Sequence, residues 1–127
     1  MDDSLIRHFI RGYFDGDGSF TWYAKKPNPN NREINWSVKS VVSVCAKTEN
    51  LLLEMQKWLS LKDIKFNINY LKRDDMYRLC TASKKQVLNF YNLIYNDSNY
   101  YLSRKFNKFN HYVNTEVTQL IVEYRNA

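Results

Sequence analysis

Two carboxylates one residue apart and bracketed by glycine, Asp15-Gly16-Asp17-Gly18-Ser19, follow directly on the apolar helical stretch that runs through Phe9, Ile10, Tyr13 and Phe14. The carbonyls that end a helix already make that end negative, so each carboxylate there costs about 0.3–1 kcal/mol unless something cancels its charge. Hard oxygen ligands of this kind suit a bound divalent cation, which would supply the missing positive charge. A ligand-free turn is the competing reading, because Asp, Gly and Ser cap backbone groups and tolerate left-handed conformations. An EF-hand loop is excluded: with Asp15 as its first position, Phe20 falls where glycine is required and Lys26 where the closing glutamate belongs.

The element that must position these acids is the helix before them. Leu5, Ile6, Phe9, Ile10, Tyr13 and Phe14 recur at helical spacing, which predicts one broad buried stripe. Gly12 sits inside this helix, where glycine costs roughly 0.5–1 kcal/mol relative to alanine. With Gly16 one turn later it leaves a flat strip on which a second backbone can lie close, so the helix is predicted to pack on a copy of itself, with Phe9, Gly12 and Tyr13 at the seam.

Downstream, Phe20, Trp22 and Ala24 alternate with Thr21, Tyr23 and Lys25, the period of a half-buried strand. Lys25 to Arg32 is Pro/Asn-rich, with no pattern for regular structure, and reads as a hairpin loop. The second strand, Asn35 to Ala46, puts Trp36, Val38, Val42 and Val44 on one side and Ser37, Lys39, Val41, Ser43 and Cys45 on the other. Thr48 is placed as the cap of a helix with Leu51, Leu52, Met55, Trp58 and Leu59 as its buried stripe. A second hairpin, Phe66 to Lys72 and Met76 to Thr81, turns around Arg73-Asp74-Asp75. Ser83 then caps a helix carrying Val87, Leu88, Tyr91 and Leu93 or Ile94, and two helical segments close the chain around Lys105–His111 and Glu116–Arg125. The prediction is an α+β fold in the order α-β-β-α-β-β-α with C-terminal helices and a four-stranded antiparallel sheet, in one domain: a helix over 1–18, hairpins over 19–46 and 66–82, a helix over 48–61, and helices over 83–127.

At 127 residues the chain can bury a core without a second domain or covalent staples. A net charge of +6 and 16% aromatic residues suit a polyanionic partner. Cys45 and Cys80 are too few and too far apart for a zinc site and fall in strand-like segments, which predicts reduced thiols in an intracellular protein. No run spans a membrane and no signal peptide precedes the first helix, which predicts a soluble protein with no membrane partner. His8 and His111 lack a nearby partner and read as surface histidines. Asp63-Ile64-Lys65 has the acid-x-lysine spacing of restriction-type nucleases but lacks the upstream Pro-Asp partner. No internal repeat is visible, so the chain is one half of a symmetric object, which favours a homodimer.

Ile10 to Gly18 resembles the LAGLIDADG signature of homing endonucleases position by position, with the glycine, both acids and the final glycine in register and Gly16 in the usual alanine place. The order of elements resembles that family over most of the chain, in a single-motif, homodimeric form. The resemblance implies two four-stranded sheets forming a saddle over the major groove of double-stranded DNA, with the motif helices side by side at a two-fold axis. It implies that the two Asp17 side chains meet there and share divalent metal, Mg²⁺ with Mn²⁺ as a substitute, together with the carbonyl of Gly16. Asp15 would then cap or position a helix end. The implied product is a staggered double-strand break with short 3′ overhangs; no small-molecule substrate is implied.

Within that resemblance the outward sheet face would offer Thr21, Tyr23, Lys25, Ser37, Lys39 and Ser43, with Tyr70, Lys72 and Arg78 from the second hairpin; Lys and Arg can neutralise phosphates or read guanine edges. An antiparallel sheet exposes one polar face in any case. Lys26, Arg32, Arg104 and Lys108 are placed as phosphate contacts. Leu102-Ser103-Arg104-Lys105 resembles the segment where these enzymes keep a catalytic-pocket lysine, which assigns Lys105 to the catalytic set beside Asp17, with Arg104 as the alternative. The sequence departs from the family at Ala46 and Asn50, where a water-ordering glutamine and a basic residue are usual. Related proteins on this fold serve as RNA-splicing maturases or DNA-binding regulators without cutting, and the retained Asp17 favours the nuclease. A basic domain that contacts only a protein partner is the third reading.

Overall fold

Period-2 patterning builds one antiparallel sheet from β1 (Gly18–Lys25), β2 (Ser37–Ala46), β3 (Asn67–Leu71) and β4 (Met76–Thr81), in the spatial order β1-β2-β4-β3. The computed structural model describes residues 3–95 and 103–127. Helix α1 (Asp3–Asp17) precedes β1, α2 (Glu49–Leu61) joins the two hairpins, and α3 (Lys84–Tyr95), α4 (Ser103–Asn114) and α5 (Val117–Arg125) follow β4. The α+β order is the one predicted, with the helices on one face of the sheet.

The core lies between that face and the helices. Phe14 from α1 meets Phe90 and Tyr95 of α3 and Phe109 of α4 edge-on, and Phe20 of β1 stacks on Phe109 with ring centroids 4.1 Å apart. Each such ring, fully buried, contributes roughly 1.5–3 kcal/mol. Much of the aromatic content is therefore core rather than binding surface. Tyr112 lies against Phe20 and Trp22, and Tyr124 of α5 covers Trp22. Trp36 falls outside β2 and carries the Arg125 guanidinium over its ring at 4.7 Å.

Several local expectations change. The helix runs through Asp17 and β1 starts at Gly18, so the acids occupy the last helical turn, inside the helix predicted over 1–18, and the competing ligand-free turn does not form. The hairpin loop contains a short 3₁₀ turn, Pro29–Asn31, because the Asn28 side chain accepts from the Asn30 N–H; Arg32 ends it with φ 60°. Thr48 holds the N-cap position of α2 with no side-chain cap bond. On α3 the buried stripe is Val87, Phe90, Ile94 and Tyr95, and Leu88 is exposed, since the helix leans on Phe14. His111 is paired after all: its Nε2 lies 2.6 Å from Glu123 of α5 and draws that carboxyl below its ordinary range. Cys45 and Cys80 are free and half-buried.

The predicted stripe of α1 divides in two. Ile10, Arg11, Phe14 and Asp15 are buried in the protomer, while Leu5 and Phe9 remain 59% and 47% exposed. A Cβ placed on Gly12 or Gly16 would meet nothing within 4 Å.

Candidate active site and nucleic-acid face

The end of α1 is held by α3 and by α4. The Tyr95 hydroxyl donates to Asp15 Oδ1 at 2.7 Å, and Arg11 Nη1 donates to the Ile94 carbonyl at 3.5 Å, tying the last two turns to α3. Burial, then the hydrogen bond to Asp15, holds the Tyr95 phenol well above its ordinary pKa. From α4 the Lys105 ammonium donates to the carbonyls of Phe14 at 3.0 Å, Asp15 at 2.8 Å and Gly18 at 2.6 Å. The cation that cancels the negative end of this helix is thus a lysine of the same chain. Lys105 is expected to face substrate; its three protons face protein carbonyls instead, because the helix leaves its last carbonyls without internal partners. Leu102, part of the segment that suggested this lysine, lies outside the described residues.

Asp17 has the opposite setting. It is exposed, and its carboxylate has no hydrogen-bond or ion-pair partner among the described residues. It lines an open cleft of about 470 Å³ with Tyr13, Cys45, Ala46, Lys47, Thr48, Leu51 and Met76. Tyr13 crosses the cleft to the Cys45 carbonyl at 3.2 Å, and burial followed by the Asp17 charge raises its pKa. Ala46 is buried at the end of β2 and Asn50 is exposed on α2. Lys47, one residue beyond the end of β2, also lines this cleft and is not among the residues singled out from the sequence.

No group of three or more His, Cys, Asp or Glu residues that could hold a metal occurs among the described residues. One protomer thus offers Asp17 and the carbonyl of Gly16, which is not one of those taken by Lys105. These are hard oxygen donors, and Mg²⁺, which keeps several waters and binds through one or two carboxylates plus phosphate, fits such a sparse set.

On the sheet face away from the helices, Thr21 pairs with Val41, Tyr23 with Lys39 and Lys25 with Ser37, while Ser19 and Ser43 lie opposite each other. Residues opposite one another share a face, so this first-hairpin set stands together as read from sequence. The second hairpin differs. Asn69 faces Arg78, Asn67 faces Cys80, and Tyr70 faces Tyr77. Arg78 also faces Cys45, on the outward side, whereas Tyr77 faces the buried Ala46. Tyr70 is therefore on the helix side at the sheet margin, donating to Asp75 at 2.7 Å, and Asn67 and Asn69 take the outward positions. The reason is register: an odd-numbered residue of β3 opposes an even-numbered one of β4, and a four-residue turn, Lys72–Asp75, sets that offset. Lys72 belongs to this turn. The Nε of Arg78 is buried without a partner among the described residues. Lys26, Arg32, Arg104 and Lys108 are exposed, the first two in the hairpin loop and the last two on α4.

No helix among the described residues is long and apolar enough to cross a membrane. No curated protein matches the sequence significantly. Among solved structures, the chain is similar to the homing endonuclease I-CvuI in complex with the I-CreI target in the presence of 2 mM Mg with the DNA not cleaved, at a TM-score of 0.69 and 17% identity over 98% of this chain and 70% of that one. It is similar to the archaeal intron-encoded homing endonuclease I-Vdi141I complexed with DNA, at 0.71 and 16% over 98% and 85%. A third likeness is to the I-LtrWI LAGLIDADG homing endonuclease bound to target DNA, at 0.68 and 20% over 88% and 37%. At these identities the likenesses establish the fold. A family model described as a LAGLIDADG-like domain matches residues 4–95, from the first turn of α1 to the end of α3 and around the single motif at Ile10–Gly18, and the chain belongs to that family.

Proposed function

We propose that this protein is a site-specific, Mg²⁺-dependent DNA endonuclease that acts as a homodimer on a long, roughly palindromic double-stranded site. The observation that carries this reading is Asp17: an exposed carboxylate with no hydrogen-bond or ion-pair partner among the described residues, on a helix end where Asp15 is held by Tyr95 and the Phe14 and Asp15 carbonyls by Lys105. Lys105 answers the carbonyls of this helix end and leaves the Asp17 carboxylate itself open, the setting of an acid that a cation or substrate can use.

The homodimer reading rests on the outer side of α1. Phe9 lines a mainly apolar groove of about 410 Å³ with Ile6, Ile10, Leu51, Met55, Trp58 and Leu61, to which Glu54 and Lys57 also contribute, and the same helix carries the exposed Leu5 and the open strip at Gly12 and Gly16. A second copy of α1 is the occupant that the small residues fit, and it would bring a second Asp17 to the first. The pair, with the Gly16 carbonyls, would hold Mg²⁺ or Mn²⁺, which supplies Lewis-acid stabilisation of charge at the phosphate. One cut per strand then gives the staggered break with short 3′ overhangs.

The sheet would enter the major groove with Thr21, Tyr23, Lys25, Ser37, Lys39 and Ser43 facing bases, and Arg78, whose fork matches the O6 and N7 of guanine, at its centre. Lys26, Arg32, Lys72, Arg104 and Lys108 would neutralise phosphates, which the +6 net charge favours. A cleavage selection on a randomised DNA library with and without Mg²⁺ finds the target. On that target Asp17→Asn is expected to abolish cutting while binding, measured in Ca²⁺, stays nearly unchanged. Equal loss of both makes Asp17 structural, and wild-type protein that binds without cutting is a regulator or maturase.

A further inference from the structure

Lys105 is expected at the phosphate, yet its ammonium has three protons and all three are in use. They go to the carbonyls of Phe14, Asp15 and Gly18 at 2.6–3.0 Å, with the charge 5.7 Å from the centroid of the Phe14 ring. An ammonium is donor-only, so turning it toward DNA would leave three carbonyls at a half-buried helix end without that partner. These three carbonyls straddle Asp17: two belong to the last turn of α1 and one to the first residue of β1. The ammonium therefore fixes the junction from which the Asp17 side chain projects.

A side-chain cation adds to what a metal supplies where charge develops on a phosphate. Among the described residues that line the Asp17 cleft, Lys47 is the one cation. It is exposed, it has no hydrogen-bond or ion-pair partner among the described residues, and the end of β2 sets its position next to the buried Ala46. We infer that the two lysines divide the work: Lys105 is a positioning residue that locks the α1–β1 junction and so the bearing of Asp17, and Lys47 is the cation that meets the scissile phosphate. The Lys47 half rests on the endonuclease reading; the Lys105 half does not.

The test compares Lys105→Met with Lys47→Met, each removing the charge at nearly constant length. In free protein without DNA or metal, Lys105→Met is expected to lower the melting temperature by about 5–10 °C, and Lys47→Met to leave it unchanged. If Lys105→Met does not fold, Lys105→Gln, which keeps two of the donors, gives the smaller shift in the same direction. In single-turnover cleavage at saturating Mg²⁺, Lys47→Met is expected to slow the cut by about 10²–10³-fold with DNA affinity in Ca²⁺ nearly intact. Lys105→Arg, which keeps charge and donors, is expected to recover both stability and cutting. An unchanged melting temperature in Lys105→Met, or an unchanged rate in Lys47→Met, overturns the division. Wild-type protein that cuts no DNA refutes the endonuclease reading and the Lys47 half with it, while the melting temperatures decide Lys105 on their own.

Discussion

Asp15 and Asp17 are chemically identical and two residues apart, yet Asp15 is 6% exposed and Asp17 is open to solvent. Two residues turn a helix by roughly 200°, so the pair cannot share a face, and tertiary packing gives each a separate task. Asp15 is drawn inward by Tyr95, whose neutral phenol the fold favours. The sign of the pH effect follows. A group whose pKa is raised on folding contributes stability that is complete below its unfolded value, near 10 here, and is lost as pH rises above it. Wild-type protein is expected to lose stability progressively as pH rises above about 10 in urea melts, and Tyr95→Phe to lack this component. At neutral pH that variant is expected to cost about 1–3 kcal/mol, because the phenol's bond to a buried carboxylate is gone. Equal alkaline sensitivity in both proteins would refute this role for Tyr95.

At the scale of the element, α1 and its junction with β1 use the chain's three glycines in two different ways. None of them has positive φ, so none is needed for a left-handed turn. Gly18 is required by close approach: a Cβ there would lie 2.4 Å from Phe14 Cδ2 and 2.7 Å from the Phe14 carbonyl oxygen. Helix therefore passes into strand with no intervening loop, and this contact brings the Gly18 carbonyl to the same ammonium that caps the helix. Gly18→Ala is expected to cost about 1–3 kcal/mol in a denaturant titration, and a variant as stable as wild type would mean that the junction has slack.

At the scale of the whole molecule, Gly12 leaves the protomer's own packing untouched. Replacing it should be harmless or helpful to a lone chain, since leucine removes roughly 0.5–1 kcal/mol of glycine's helix penalty. It would nevertheless fill the strip on which the partner helix is proposed to lie. Gly12→Leu is expected to melt no lower than wild type at low concentration and to sediment as a monomer. A dimer that survives this change would remove α1 from the interface.

The α+β order, the first-hairpin face and the motif were legible in the sequence because each is written in local period or spacing: Phe20, Trp22 and Ala24 alternate whatever they pack on, and Ile10–Gly18 holds its register in one helix. Tyr70 and Asn69 were not separable in this way. A shift of one residue in strand pairing exchanges the two faces, and only the assembled β3–β4 pair fixes that shift. Lys105 was legible as a residue of this site but not in what it holds, because its partners lie about ninety positions away and no local pattern encodes them. Sequence alone determined that a carboxylate must stand at the end of this helix. Tertiary structure decided which acid is buried, which lysine neutralises the helix end, and which side of α1 is left bare, since each depends on what the fold brings against that turn.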